Sequence, residues 1–277
     1  MIDKINLGIL SHNRPNKQIT IKHLPQDLVK RAYVFIEPDD DYDLYCNNCK
    51  PATVIQFKEK SKNFTQAKNR LIKYFIEKGK RYIFIADDDI VFMIRDRETE
   101  SGFPALRRCS DEEIYDMFYK LLSVLKIKRI SEVGLTYKQT NWCYREEVIL
   151  ARRISAFMGI DFKETGYFDE NCTIFENHEM ALKLLTENKY TALFTKWAMA
   201  IPTMSLAEGG VEIYHDREKF RKEAIKITNY LMKKYPELVT SQKKKNKDYV
   251  EPKEYWGRYL LNDKSEFLEQ IQQILNE

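Results

Sequence analysis

The stretch Arg81-Tyr-Ile-Phe-Ile-Ala-Asp-Asp-Asp-Ile-Val-Phe92 constrains this chain more than any other. Tyr82 to Ala86 run without a polar interruption, three aspartates follow, and a second apolar run then begins. An unbroken apolar strand is buried on both faces, as at the centre of a parallel sheet. Open α/β sheets bind ligands beyond the carboxyl ends of their strands, so Asp87, Asp88 and Asp89 fall where a site is expected. Alternation along an extended segment sends Asp87 and Asp89 to one side and Asp88 to the other. Carboxylates this close repel unless a cation lies between them, and hard oxygen ligands suit Mg2+ or Mn2+. The competing reading is a solvated turn, since Asp is a common turn residue. The position after a buried strand argues against it.

The flanking chain alternates in the way such a strand requires. Ile5 to Leu10 reads as a first strand, followed by Ser11-His-Asn-Arg-Pro15, with Pro15 expected in the first turn of a helix reaching about Leu24. Ala32 to Ile36 is a second strand closing on Glu37-Pro38, and Thr53 to Phe57 a third. Asn63 caps a predicted helix from Phe64 to about Lys78, whose Phe64, Ala67, Leu71, Tyr74 and Phe75 keep helical spacing; Gly79 ends it. Ser110-Asp-Glu-Glu113 is a capping box before an amphipathic helix. Val133 to Tyr137 and Ile149 to Met158 read as strands, Glu176 to about Glu187 as a helix, and Tyr190 to Ile201 as a strand. A polar loop, Pro202 to Gly210, follows, and the remaining chain reads as helical over Asp216 to Tyr235 and Glu266 to Leu275. Between these helices Ser241 to Lys247 is expected to be a basic loop.

At 277 residues, 43% hydrophobic and 32% charged, the chain can bury a full core in one large domain with an appendage. No run of 18 apolar residues exists, so no membrane span is expected, and the amino terminus carries no signal-peptide pattern. A cytoplasmic location is the expectation. A net charge of +4 says little by itself about nucleic acid. Five cysteines, Cys46, Cys49, Cys109, Cys143 and Cys172, lack disulfide-scaffold density. Cys46-Asn-Asn-Cys49 has metal-ligand spacing, but no second pair accompanies it, so free thiols are expected.

A first strand leading to Arg-Pro, a second ending in an acid, an Asn-Arg pair on the next helix and a buried strand ending in Asp-Asp-Asp resemble the GT-A glycosyltransferases. Ser11–Pro15, Glu37–Tyr45, Lys68-Asn-Arg70, Asp87-Asp-Asp-Ile90, Phe175-Glu-Asn-His-Glu-Met-Ala-Leu182 and Glu208-Gly-Gly210 are similar to one branch. That branch is the phage DNA-base glycosyltransferases of the TET-associated type, which put sugars on hydroxymethylated pyrimidines in DNA. The resemblance implies an α/β fold with a Rossmann-like mixed sheet flanked by helices. It divides the chain into a catalytic domain over 1–215, with nucleotide-binding and acceptor halves meeting near residue 95, and a helical appendage over 216–277. It also implies a Mn2+- or Mg2+-dependent transferase using a uridine-diphosphate sugar (in the host cytoplasm if phage-encoded). Its acceptor would be hydroxymethylcytosine in DNA, or a sugar already on that base.

The roles the resemblance carries over are specific. Asp89, with Asp87 and a carboxy-terminal His215, would hold the metal; Asp87 and Asp88 would also meet the nucleotide. A divalent ion there stabilises the departing diphosphate. Arg14, Glu37 and Arg70 would grip the nucleotide, guanidinium forks matching phosphate oxygens and uracil carbonyls. Gly209 and Gly210 would let backbone approach a sugar or phosphate. Glu179 or Glu176, with His178 beside them, would deprotonate the acceptor hydroxyl at a helix start that favours an anion. The spacing Glu-Asn-His-Glu leaves open which carboxylate matches, with Glu179 preferred. Tyr42 or Tyr45 would stack on the base, and Trp142 and Trp197 are core residues or stacking platforms. Arg107-Arg108, Arg152-Arg153 and Lys243 to Lys247 are short cationic clusters of the kind that track phosphates. Rival readings are a transferase acting on a polysaccharide or protein, and an inactive DNA-binding protein on the same fold. A nucleotidyltransferase would want a Gly-rich loop after the first strand, which Ser11 to Pro15 does not supply.

Overall fold

The computed structural model describes residues 4–98, 104–141, 145–201, 216–243, 249–255 and 264–277. Gly209, Gly210, His215 and Trp142 lie outside them, as does all of the basic run after Lys243. Among the described residues a ten-stranded mixed sheet forms the centre. Its first strands are β1 (Leu7–Leu10), β2 (Tyr33–Ile36), β3 (Thr53–Gln56) and β4 (Tyr82–Asp87). The next are β5 (Val91–Glu98), β6 (Pro104–Arg108), β7 (Ile130–Tyr137), β8 (Val148–Leu150), β9 (Phe157–Asp161) and β10 (Tyr190–Ala200). The spatial order is β3-β2-β1-β4-β9-β7-β10-β5-β6, with β8 paired to β10. The pairs β1–β2, β2–β3, β1–β4 and β7–β10 are parallel, whereas β9 runs antiparallel to both β4 and β7.

β4 is buried on both faces, as its composition demands. Ile83 and Ile85 pack with Leu71 and Phe75 of one helix, α4 (Phe64–Glu77). Phe84 and Ala86 face the other way, toward Met117 and Phe118 of α5 (Asp111–Val124). The Phe84 and Phe118 rings meet edge to face at 5.0 Å. Burying one such side chain is worth roughly 1.5–3 kcal/mol, so these two faces fix where β4 ends. The local start signals also hold. Asn63 accepts a hydrogen bond from Gln66 N, and Ser110 and Glu113 complete a reciprocal capping box.

Three expectations are corrected, and one segment left unassigned by the sequence is settled. Pro15 lies in a turn, and the first helix, α1 (Ile19–His23), starts later. The segment Ile149–Met158 is not one strand; positive φ at Ala151 (56°) and Ala156 (60°) breaks it into β8 and β9. The apolar run after the aspartates becomes the β5–β6 hairpin, which pairs with β10. The carboxy-terminal part is not wholly helical. Between α9 (Arg217–Lys234) and α10 (Lys264–Asn276) lies a two-stranded hairpin, β11 (Val239–Lys243) and β12 (Val250–Glu254). α10 seals the principal core with Phe267, Ile271 and Leu275.

Candidate active site

Because β1, β2, β3 and β4 are mutually parallel, their carboxyl ends open on one edge of the sheet. Ser11 to Arg14, Glu37 to Asp41, Phe57 to Ser61 and the aspartates gather there. Thr20 of α1 fixes the aspartate turn. Its amide donates to Asp88 O (2.9 Å), its hydroxyl donates to Asp87 O (2.6 Å), and the Ile90 amide donates to that hydroxyl (2.9 Å).

The three carboxylates differ in surroundings. Asp88 is buried, accepts a short hydrogen bond from the Ser11 hydroxyl, and lies 3.4 Å from Arg14 Nη1. The same guanidinium nitrogen reaches Asp89 at 3.2 Å. Arg14 is thus drawn to the carboxylates, where it is the cation that now offsets them. Burial pushes Asp87 up to about 8, with Asp89, Asp88 and Glu176 adding to the rise and Lys68 opposing it. Burial also raises Asp88, to about 6, against its Ser11 and Arg14 contacts, and it raises Asp89.

Lys68 escaped the sequence reading as a site residue. It is 1% exposed, and its ammonium lies 2.7 Å from Glu176 Oε1 at the start of α8 (Glu176–Thr186). The Phe64 and Phe168 rings flank it at 4.7 and 5.2 Å. Glu132 on β7 feels the same ammonium; both its oxygens are buried without a partner, and burial pushes it up to about 8. Both residues left a signal. Lys68 interrupts the apolar stripe of α4, and Glu132 is the one charged residue of β7, whose burial runs almost its full length.

Glu37 and Arg70 come together, at the loop after β3 rather than at the aspartates. Glu37 accepts from the Ser61 amide (2.8 Å), and Arg70 binds the Glu59 carbonyl and the Ser61 hydroxyl. Tyr45 is fully buried, its hydroxyl bonded to Ser11 Oγ and the Arg14 amide at 2.9 Å each, so it is unable to stack on a base. Tyr42 is 44% exposed. Trp197 is a core residue.

Glu176 and Glu179 diverge. Glu176 faces Lys68 and acts on Asp87, whereas Glu179 Oε1 takes its bonds from Lys234 and Tyr235 at the end of α9, at 2.8 Å each. His178 is clamped between Arg153 and Glu254, and burial lowers its pKa. Cys46 and Cys49 are free thiols on the short helix α3 (Tyr42–Cys49).

Five carboxylates (Asp87, Asp88, Asp89, Glu132, Glu176) therefore meet two cations, Lys68 and Arg14. Among the described residues no three potential ligands converge as a complete metal cage. A Mg2+ or Mn2+ held by one or two carboxylates and substrate oxygens needs none, and a cation beside Asp87 and Asp89 would offset the burial that raises both. A shallow hollow of about 320 Å3, lined by Lys4, Lys80, Arg81 and Lys126, lies at the opposite end of β4 and contains none of these groups.

The profile of the TET-associated glycosyltransferases matches residues 5–210, which holds the whole sheet and the aspartate turn. This chain belongs to that family. It is a glycosyltransferase. Among solved structures it is similar to glucosyl-3-phosphoglycerate synthase from Mycobacterium tuberculosis in complex with Mg2+ and uridine diphosphate. That likeness has 9% identity and a TM-score of 0.51 over 91% of this chain and 86% of that one. GalNAc-T7, with UDP, GalNAc and Mn2+, aligns at 11% identity and a TM-score of 0.45 over 70% of this chain. The chain spans only 43% of that protein. The sheet is that of the GT-A nucleotide-diphospho-sugar transferases. No curated protein sequence matches significantly. Among the described residues no helix is long and apolar enough to cross a membrane.

Proposed function

We propose that this TET-associated glycosyltransferase moves a sugar from a uridine-diphosphate sugar to hydroxymethylcytosine in DNA, or to a sugar already on that base. The observation that carries this reading is the partly buried carboxylate cluster at the end of β4, facing Glu176 across Lys68. The family match supports the DNA acceptor. The likeness to a synthase solved with Mg2+ and uridine diphosphate supports the donor and the ion. Asp89 and Asp87 would hold Mn2+ or Mg2+, with His215 as a further ligand. The ion supplies Lewis-acid stabilisation of the diphosphate as it leaves.

This chain's own residues do the rest. Arg14, already beside Asp88 and Asp89, is placed to turn its fork to the diphosphate. Glu37 and Arg70 shape the loop beside the β2 end, where the nucleoside would lie, and Gly209 and Gly210 would let backbone approach the sugar or phosphate. Glu176 takes the proton of the acceptor hydroxyl as that oxygen bonds to the anomeric carbon and the bond to the diphosphate breaks. Its place opposite the aspartates favours it over Glu179, whose carboxylate is engaged by α9.

The test is transfer of labelled sugar from UDP-glucose with Mn2+ to duplexes with and without hydroxymethylcytosine. Label on the modified duplex alone is expected, and Asp89→Ala should abolish it while leaving the circular dichroism spectrum unchanged. Label found only on a polysaccharide or protein acceptor overturns the DNA reading. Unchanged DNA binding with no turnover of any nucleotide sugar would make the chain a binding protein instead.

A further inference from the structure

The helix that carries Glu176 begins without the usual means of fixing its direction. Its N-cap is Phe175, held at φ 60°, and no side chain caps the first turn. An uncapped start leaves its first amides to water or to neighbouring groups, and it frays readily. Lys68 and Arg153 hold Glu176 and His178 from the body, and the other contacts on this turn come from the carboxy-terminal unit, beyond the matched residues 5–210. Lys234 and Tyr235 both bind Glu179 Oε1, and Lys234 also reaches Asp169 Oδ2 at 2.7 Å. Glu254 of β12 accepts from His178, whose other nitrogen accepts from Arg153. Behind these contacts Cys172, Ile174 and Leu182 share an apolar cluster with Ala224, Ile227 and Leu231 of α9.

Residues three apart on a helix point about 60° apart, given 3.6 residues per turn. Pinning Glu179 to α9 therefore sets the rotation of the first turn, and with it the direction of Glu176. We propose that Lys234 and Tyr235 are positioning residues, which clamp Glu179 so that Glu176 stays aimed at Lys68 and the Asp87 end of β4. The inference rests on the reading of Glu176 as the proton acceptor. Through α9 the carboxy-terminal unit then positions a group of the catalytic apparatus.

The probe is hydrolysis of UDP-glucose with Mn2+ by the full chain, water serving as acceptor, with kcat and donor KM measured separately. Lys234→Met and Tyr235→Phe should each lower kcat by between ~10-fold and ~100-fold at unchanged donor KM, the range expected for misplacing a group by about 1 Å. Lys234→Arg should restore most of the rate. Amide hydrogen exchange at His178 and Glu179, whose amides donate to Phe175 O, should quicken in both variants, which reads the clamp without turnover. A folded Tyr235→Phe protein with parental kcat and parental exchange overturns the inference, as does a loss of kcat and of donor affinity in equal proportion. Glu176→Gln separates the two claims. If that variant keeps full activity, the reading of Glu176 falls and this inference with it. If it is inactive while the clamp variants turn over normally, the inference alone falls.

Discussion

At the scale of single residues, the site is built from ionisable groups that a folding chain ordinarily avoids burying. Glu132 is the plainest case, since both its oxygens lack partners inside the sheet. Its folded pKa, pushed up to about 8 by burial, lies above the ordinary carboxylate value. Between the two values the folded chain holds a proton that the unfolded chain has released, so stability falls as pH rises through that window. Each unit is worth about 1.4 kcal/mol, so the whole effect is on the order of a few kcal/mol. Glu132→Gln should flatten that dependence, gaining stability at pH 8 and little at pH 5, as urea unfolding at the two pH values would show. A parallel decline of variant and parent with pH would assign the effect to another group. Neither Glu132 nor Lys68 was singled out from the sequence, although each is a charged residue beside apolar neighbours. What the sequence did not disclose is that α4, α8 and β7 bring them together, because that depends on packing far apart in the chain.

At the scale of elements, signals confined to a few residues were readable and signals set by tertiary contact were not. Asn63 and the Ser110–Glu113 box act within one helical turn, and both appear where the sequence puts them. The split between β8 and β9 was hidden because Ile149 to Met158 is apolar enough for one strand. Its break comes from left-handed backbone at Ala151 and Ala156, and Ile154 is buried between them. The β11–β12 hairpin was hidden for the opposite reason. Its strands, Val-Thr-Ser-Gln-Lys and Val-Glu-Pro-Lys-Glu, carry charges and a proline that local pattern assigns to loops. The crossing segment before β9 explains a glycine. A Cβ at Gly134 of β7 would stand 2.1 Å from Ile154 Cγ2 and 2.7 Å from the Phe157 carbonyl oxygen. Gly134→Ala should therefore cost about 1–3 kcal/mol, the usual toll of overpacking, seen as a lowered thermal midpoint. An unchanged midpoint would mean that the crossing segment moves aside freely.

At the scale of the whole molecule, sequence reading placed the carboxy-terminal residues on the body as an appendage, and the contacts show two attachments. α9 and its hairpin grip α8, while α10 lies against α5 and completes the core with Phe267, Ile271 and Leu275. Ile271 is fully buried, so Ile271→Ala should lose about 2–5 kcal/mol, measured by denaturant unfolding followed through the whole chain. A second transition, with the body unfolding at its parental midpoint, would show instead that α10 melts independently. Of the cationic pairs considered for DNA, Arg107, Arg108 and Arg153 remain exposed, two of them with partners of their own. Arg107 is held by Glu113 and Asp96, and Arg153 by His178.

One threonine has a thermodynamic consequence for the donor. Thr20 ties the Asp87–Ile90 turn to α1 through three hydrogen bonds, so the acidic turn is fully ordered as the chain folds. Affinity need not be spent on gathering it at the moment of recognition, because folding has already preorganised it. Whatever loosens α1 should then surface first as weaker capture of the nucleotide sugar, before any of the sheet unravels.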